Sequence, residues 1–172
     1  LSGMTTASLP ALGSAQMPTG SVLQVQQGIS TINIASTTAD TWIDAVTVNI
    51  TPSSTSSKIY VSFNINAMII SDNQRGGVRM ARNSTGIGVA TNVQSRIAAS
   101  ATFAGTSDGT LRSKNMSNSV LDSPSTTSQI TYRLQYHCEN TTEVKINHDD
   151  ADGNADSYYR SASTITVMEI AG

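Results

Sequence analysis

The clearest pattern in the chain lies at Lys58–Ile70, KIYVSFNINAMII. Here Ile59, Val61, Phe63, Ile65 and Ala67 alternate with Tyr60, Ser62, Asn64 and Asn66. A period of two sends successive side chains to opposite faces of a strand, so the segment predicts a strand whose apolar face is central to the core. Thr131–Cys138 repeats the pattern, setting Tyr132, Leu134, Tyr136 and Cys138 against Arg133, Gln135 and His137. Glu143–Asn147 is its short partner, with Val144 and Ile146 turned inward, and ENTT is the turn between them. Ser21–Gln27 reads as a first strand that Gly28 breaks, with Ile29, Ile32 and Ile34 suggesting a continuation. Thr41–Ile50 follows, offering Trp42, Ala45 or Val46, and Val48 to the core. Val78–Arg82 returns with Val78 and Met80 inside, Gln94–Phe103 and Leu111–Leu121 are weaker strands, and STITVMEI closes the chain.

Between these segments stand turn compositions: TPSSTSS after Ile50, SDNQRGG with its glycine pair at 71–77, NSTGIGVA at 83–90 and LDSPSTTS at 121–128. Gly, Pro, Asn, Asp and Ser supply the dihedral angles and local hydrogen bonds that turns need. Apolar residues at helical spacing are not sustained over three turns anywhere. Short strands separated by such turns predict an all-β protein, an antiparallel β-sandwich of jelly-roll type. Residues 1–20, LSGMTTASLPALGSAQMPTG, have neither periodicity and carry Pro10 and Pro18. They read as an extended arm ahead of a sandwich domain spanning 21–172. Leu1, Met4, Leu9, Leu12 and Met17 in that arm would need a neighbouring chain to bury them. Opening on Leu1 is what a piece of a longer chain would show.

Composition narrows the function. Ten basic residues against twelve acidic give a net charge of −2, without the basic stripe of a nucleic-acid binder. The apolar runs fall short of the ~18 residues of a membrane span, and the N-terminus lacks a basic-then-apolar leader. Cys138 is the only cysteine, so it forms no intrachain disulfide and reads as a small buried apolar residue. The sequons at Asn49, Asn83, Asn115 and Asn140 matter only on a eukaryotic secretory route.

Candidate chemistry concentrates in three places. Arg75, Arg79 and Arg82 form a basic group, read as a solvated strand edge or, more sharply, a phosphate or sialate contact. His148-Asp-Asp-Ala-Asp-Gly-Asn-Ala-Asp156 has the composition of a calcium loop, with Asp150, Asp152 and Asp156 as the oxygen ligands and Gly153 at the turn. His148 at its head is a poor calcium ligand and a closing Glu is missing, so a solvated turn paired with Arg160 or a neighbouring subunit's arginine is preferred and no metal is assigned. Tyr158 and Tyr159 beside Arg160 are suited to stacking on sugar rings. Gly86-Ile87-Gly88 lacks the strand-and-helix setting of a dinucleotide loop. His137 and His148 lack a nucleophile elbow, and an apposed carboxylate pair is not visible. No catalytic residue and no cofactor is assigned, and the chain reads as a non-enzyme.

Four phrases in order, MPTGSVLQVQ (Met17–Gln26), ITPSSTSSKIYV (Ile50–Val61), LDSPSTTSQITYRLQ (Leu121–Gln135) and YRSASTITVMEIAG (Tyr159–Gly172), resemble the C-terminal domains of tail-fibre and related virion structural proteins of marine phages, including cyanophages. The resemblance spans nearly all of 17–172, except the middle, 71–119. It implies a virion protein: a β-sandwich, homotrimeric, displayed at a fibre tip or on the particle surface. An apolar arm on a hydroxyl-rich domain suits symmetric assembly and attachment to other virion proteins. The leading expectation is a receptor-binding module whose loops 72–77, 106–115 and 149–159 contact host surface glycan or protein, with Arg75, Arg79, Asp150, Asp152, Asp156, Tyr158 and Tyr159 as contact residues. The alternative is a capsid decoration or head-fibre protein with a purely structural role. A polysaccharide depolymerase ranks last, for want of repeats and an acid pair.

Overall fold

A computed structural model describes residues 13, 16–69, 74–92, 94–105, 113–139, 143–148 and 153–172. Eleven strands carry the described chain: β1 (Val22–Ser30), β2 (Ile34–Ser36), β3 (Ile43–Ile50), β4 (Lys58–Ile69), β5 (Arg75–Arg82), β6 (Thr85–Ile87), β7 (Ala101–Ala104), β8 (Lys114–Asp122), β9 (Ile130–Cys138), β10 (Val144–Ile146) and β11 (Ser163–Ile170).

They form two antiparallel sheets. In the first, β1 lies beside β11, β11 beside β4, and β8 along the other edge of β4. β10 extends the β11 side of β4 at Ala67–Ile69, and β2 lies outside β10. In the second, β3 lies beside β9 and β9 beside β5, while β6 and β7 share the far edge of β5. The chain thus passes between sheets from β1 to β3, β4, β5, β8, β9 and β11, each pairing with a strand far away in sequence. That winding is the jelly roll, as the strand pattern predicts.

The core lies between the two inner faces. Ile59, Val61 and Ile65 of β4 are fully buried against Val78 and Met80 of β5 and Tyr132, Leu134, Tyr136 and Cys138 of β9. Cys138 is a buried thiol whose Sγ donates to Thr38 O at 3.0 Å, and burial pushes its pKa up. Two buried polar groups tie distant segments together. Asn147, with φ of 60°, donates from Nδ2 to Ser30 O and accepts from Ser163 Oγ at 2.6 Å. Asn tolerates this left-handed conformation better than most residues. The second group is Glu169. It points inward from β11, fully buried, and accepts hydrogen bonds from Gln24 Nε2 at 2.6 Å and from Ser53 N, Ser53 Oγ and Ser57 Oγ at 2.7 Å each. The serines of the TPSSTSS turn thus wrap a carboxylate. Burial acts to raise its pKa, but the hydrogen bonds together outweigh it and hold the pKa below the ordinary value.

Several local expectations are corrected. Gly28 does not break the first strand, because β1 runs through it. A Cβ at Gly28 would lie 2.3 Å from Thr47 O, so glycine there permits close approach of β1 to β3. Gly76 and Gly77 lie within β5 rather than in a hairpin turn. The strand expected over 94–103 shrinks to Ala101–Ala104, and residues 94–100 form a loop. The Gly-rich 83–90 stretch contains β6, hairpinned to β5. Trp42 is not in the core: register shifts between Asp44 and Val46, and the extra residue leaves Trp42 half-buried on the outer face of the second sheet.

The residues just ahead of β1 meet those just after β11. Gly20 N donates to Ala171 O, Ala171 N donates to Ser21 O, and Ser56 Oγ donates to Gly172 O. β3 runs from Ile43 towards this end and delivers the chain to the Ser53–Ser57 turn. Trp42 therefore lies near the opposite end of the sandwich.

Candidate functional site: an aromatic cleft on one outer face

On the outer face of the second sheet, Trp42 stands beside His137 of β9, with ring centroids 5.1 Å apart and planes tilted by 52°. Opposite His137 in register is Gly77. A Cβ there would be 3.6 Å from Trp42 Cη2, so the indole reaches over the bare backbone of β5. The Arg79 guanidinium stacks on the indole with its central carbon 4.3 Å from the ring centroid, a cation–π contact. Arg79 Nε donates to Gln135 Oε1 at 2.9 Å, which fixes the guanidinium from behind.

Three adjoining hollows share Trp42. One of about 650 Å³ runs towards Asp44, Arg133 and Gln135. A second of about 680 Å³ runs towards Arg75, Arg96, His137, Asp40 and Glu139. A smaller third lies between Arg79, Arg96, Asn92 and Gln94. The outer wall of the last two is the loop from β6 to β7, pinned by Ala90 N to Ala99 O and Ser100 N to Val78 O. Gln94 in that loop has φ of 60°, a conformation rare outside glycine. In the first hollow Asp44 accepts from Arg133 and from Gln135 Nε2. Burial lowers the pKa of Arg79, with Asp44 opposing. Burial also lowers that of His137, with Asp40 opposing and Arg79 assisting.

Of the predicted contact residues, Arg75 and Arg79 come together here. Arg82 does not: its guanidinium pairs with both Asp122 oxygens at 2.9 Å, and the Tyr132 hydroxyl donates to the same carboxylate. Arg82 lies three residues beyond Arg79 on β5, at the β5–β6 turn. Asp150 and Asp152 lie outside the described residues, as does most of the predicted 106–115 loop. Asp156 is exposed. Tyr158 folds over Gly153, where a Cβ would meet its ring at 2.4 Å. Tyr159, 75 % exposed, lines a separate small hollow with Asn66, Ser113, His148, Arg160 and Ser161. The tyrosines and the arginine cleft share no cavity. Sequence reasoning missed Trp42, Gln135, Asn92 and residues 94–97. The alternation in TYRLQYHC already placed Gln135 and His137 outward, and that was the available signal.

The outer face of the first sheet is of another kind. Val25, Met168, Tyr60 and Leu121 are register partners across β1, β11, β4 and β8, and form one apolar row across it. Val25 is 51 % exposed and Leu121 57 %. The flanking rows hold Gln27, Thr166, Ser62 and Ser119, then Ile29, Thr164, Asn64 and Ser117. Lys58, at the end of β4, is the one charged side chain on these rows and the row beyond Val25.

No protein-family model matches this chain, and no curated protein matches it.

Proposed function

We propose that the chain is a phage virion structural protein, a trimeric tail-fibre or receptor-binding module that contacts the host surface. The observation that carries this reading is the contrast between the two outer faces. One is crossed by an exposed apolar row and carries a single charge, Lys58, on the rows of β1, β11, β4 and β8 around it; the other is charged, aromatic and hollowed. Rows so sparsely charged can meet copies of themselves with little like-charge repulsion, and exposed apolar patches mark interaction sites. The hollowed face, with Trp42 far from the end where the chain enters and leaves, is then left outward for a ligand.

The test is absolute mass in solution by light scattering. The expected result is about 54 kDa, three times the 18.0 kDa chain, falling to the monomer in a Tyr60→Glu, Leu121→Glu double variant that stays folded by circular dichroism. A monomeric parent chain would overturn the autonomous trimer. Binding of the parent chain but not of Trp42→Ala to host cells tests the contact half. A trimer whose cell binding ignores Trp42 would leave only the structural role.

A further inference from the structure

We infer that the Trp42 cleft is a binding site for an acidic saccharide, whose carboxylate is taken by Arg79 and Arg96. The inference rests on the reading of this face as the contact face and names the chemistry of its ligand. Arginines on this side of the molecule fall into two sets. Arg82 and Arg133 are neutralised by Asp122 and Asp44. Arg75, Arg79 and Arg96 have no ion pair among the described residues, and all three line hollows that share Trp42. Arg79 is half-buried and its neighbour in register, Gln135, offers a neutral amide rather than a carboxylate. The nearest carboxylate acting on Arg79, that of Asp44, is already committed to Arg133 and Gln135, and a partly buried cation so placed favours an anion in the space beside it.

Geometry selects the kind of anion. Arg79 lines the hollow it shares with Arg96, with its central guanidinium carbon 4.3 Å from the Trp42 ring centroid and its Nε held by Gln135. A planar fork of this kind matches a carboxylate with two parallel hydrogen bonds. The remaining wall of that hollow is Asn92, Gln94, Ser95 and Ala98, with Ile97 as its large aliphatic residue. Amides and hydroxyls around an open groove suit a polyhydroxylated ligand, whereas an apolar ligand would find little to bury against.

Trp42 is the only tryptophan of the chain, so fluorescence excited at the red edge of the absorption, where tyrosine does not contribute, reports on this cleft alone. The test titrates the full chain with tetragalacturonate, and with maltotetraose as a neutral tetrasaccharide. The expected result is a saturable change with the acidic sugar at up to about 10 mM, little change with the neutral one, and affinity weakened about tenfold or more by Arg96→Gln. Arg96 is an exposed loop side chain, so this variant leaves the fold intact; Lys58→Gln, on the opposite sheet, should match the parent. No saturable change, an equal response to maltotetraose, or unchanged affinity in both Arg96→Gln and Arg79→Gln would overturn the inference. Failure here is separable from failure of the wider reading. Host cells bound through Trp42 without a response to the acidic sugar would sink the ligand class alone. A sugar-binding monomer that ignores host cells would sink the receptor-binding module alone.

Discussion

Replacing Glu169 by Gln keeps the size of the side chain and removes its charge. Four hydrogen bonds converge on the carboxylate at 2.6–2.7 Å. A Gln side chain can still accept at one oxygen, from Ser53 and Ser57. Its NH₂ would then face Gln24 Nε2, donor against donor, and Gln24 is already committed to Thr51 O. Hydrogen bonds to charged groups contribute about 1.5–3 kcal/mol against about 1 for neutral ones. Weakening two or three bonds and opposing one, less the desolvation no longer borne by the charge, leaves a net loss of about 2–3 kcal/mol. At about 2–4 °C per kcal/mol for a chain of this size, Tm should fall by about 4–12 °C. The pH dependence has a definite sign. The carboxylate's folded pKa lies below its ordinary value of 4.5, so its contribution is fully present above 4.5 and is lost as pH falls through the folded value. Urea unfolding followed by circular dichroism at pH 7, with Tm scans towards pH 3, reads both effects, at one protein concentration because self-association shifts apparent stability. The parent should lose stability in acid more steeply than Glu169→Gln, so the two curves converge. A variant within about 0.5 kcal/mol of the parent at pH 7, with a parallel acid limb, would refute the account of Glu169 as an ionised tie.

Two further outcomes follow from packing. Gly28→Ala puts a Cβ 2.3 Å from Thr47 O, and backbone cannot yield as a side-chain tip does; a loss of about 2–3 kcal/mol is expected in the same urea experiment. The Cys138 thiol, fully buried and with its pKa raised by burial, should ignore a disulfide reagent in the native protein and react at once in denaturant; prompt native labelling would contradict its placement.

How much of this was legible in the chain depends on whether a residue's place is set locally. The alternation in KIYVSFNINAMII and TYRLQYHC marked β4 and β9 correctly, because a strand with one buried face writes a period of two into its sequence. Trp42 was misplaced because an extra residue after Asp44 reverses the faces, and no local signal marks a bulge. Gly28 reads locally as a break because the reason for it, the Thr47 carbonyl, sits on a strand about twenty residues away in sequence. The arginine group was half readable: Arg75 and Arg79 share a face by spacing, but only the partner strands show that Asp122 takes Arg82 and that Gln135 leaves Arg79 charged. Glu169 looked like one acid in a closing strand; its hydrogen-bond donors come from residues 24, 53 and 57.

The antiparallel pairing of β1 with β11, which brings Gly20 beside Ala171, also fixes how the domain carries mechanical load. A pull that draws residue 20 away from residue 172 enters at the first rung of the β1–β11 ladder and works against its hydrogen bonds one at a time, as a zip opens, rather than shearing them together. The first ties to meet that force are Gly20 to Ala171 and Ser21 to Ala171, and next behind them stands Gln24 on the buried Glu169. The carboxylate knot therefore sits where such peeling would begin, and its bonds to Gln24, Ser53 and Ser57 have to part before the opening reaches the core.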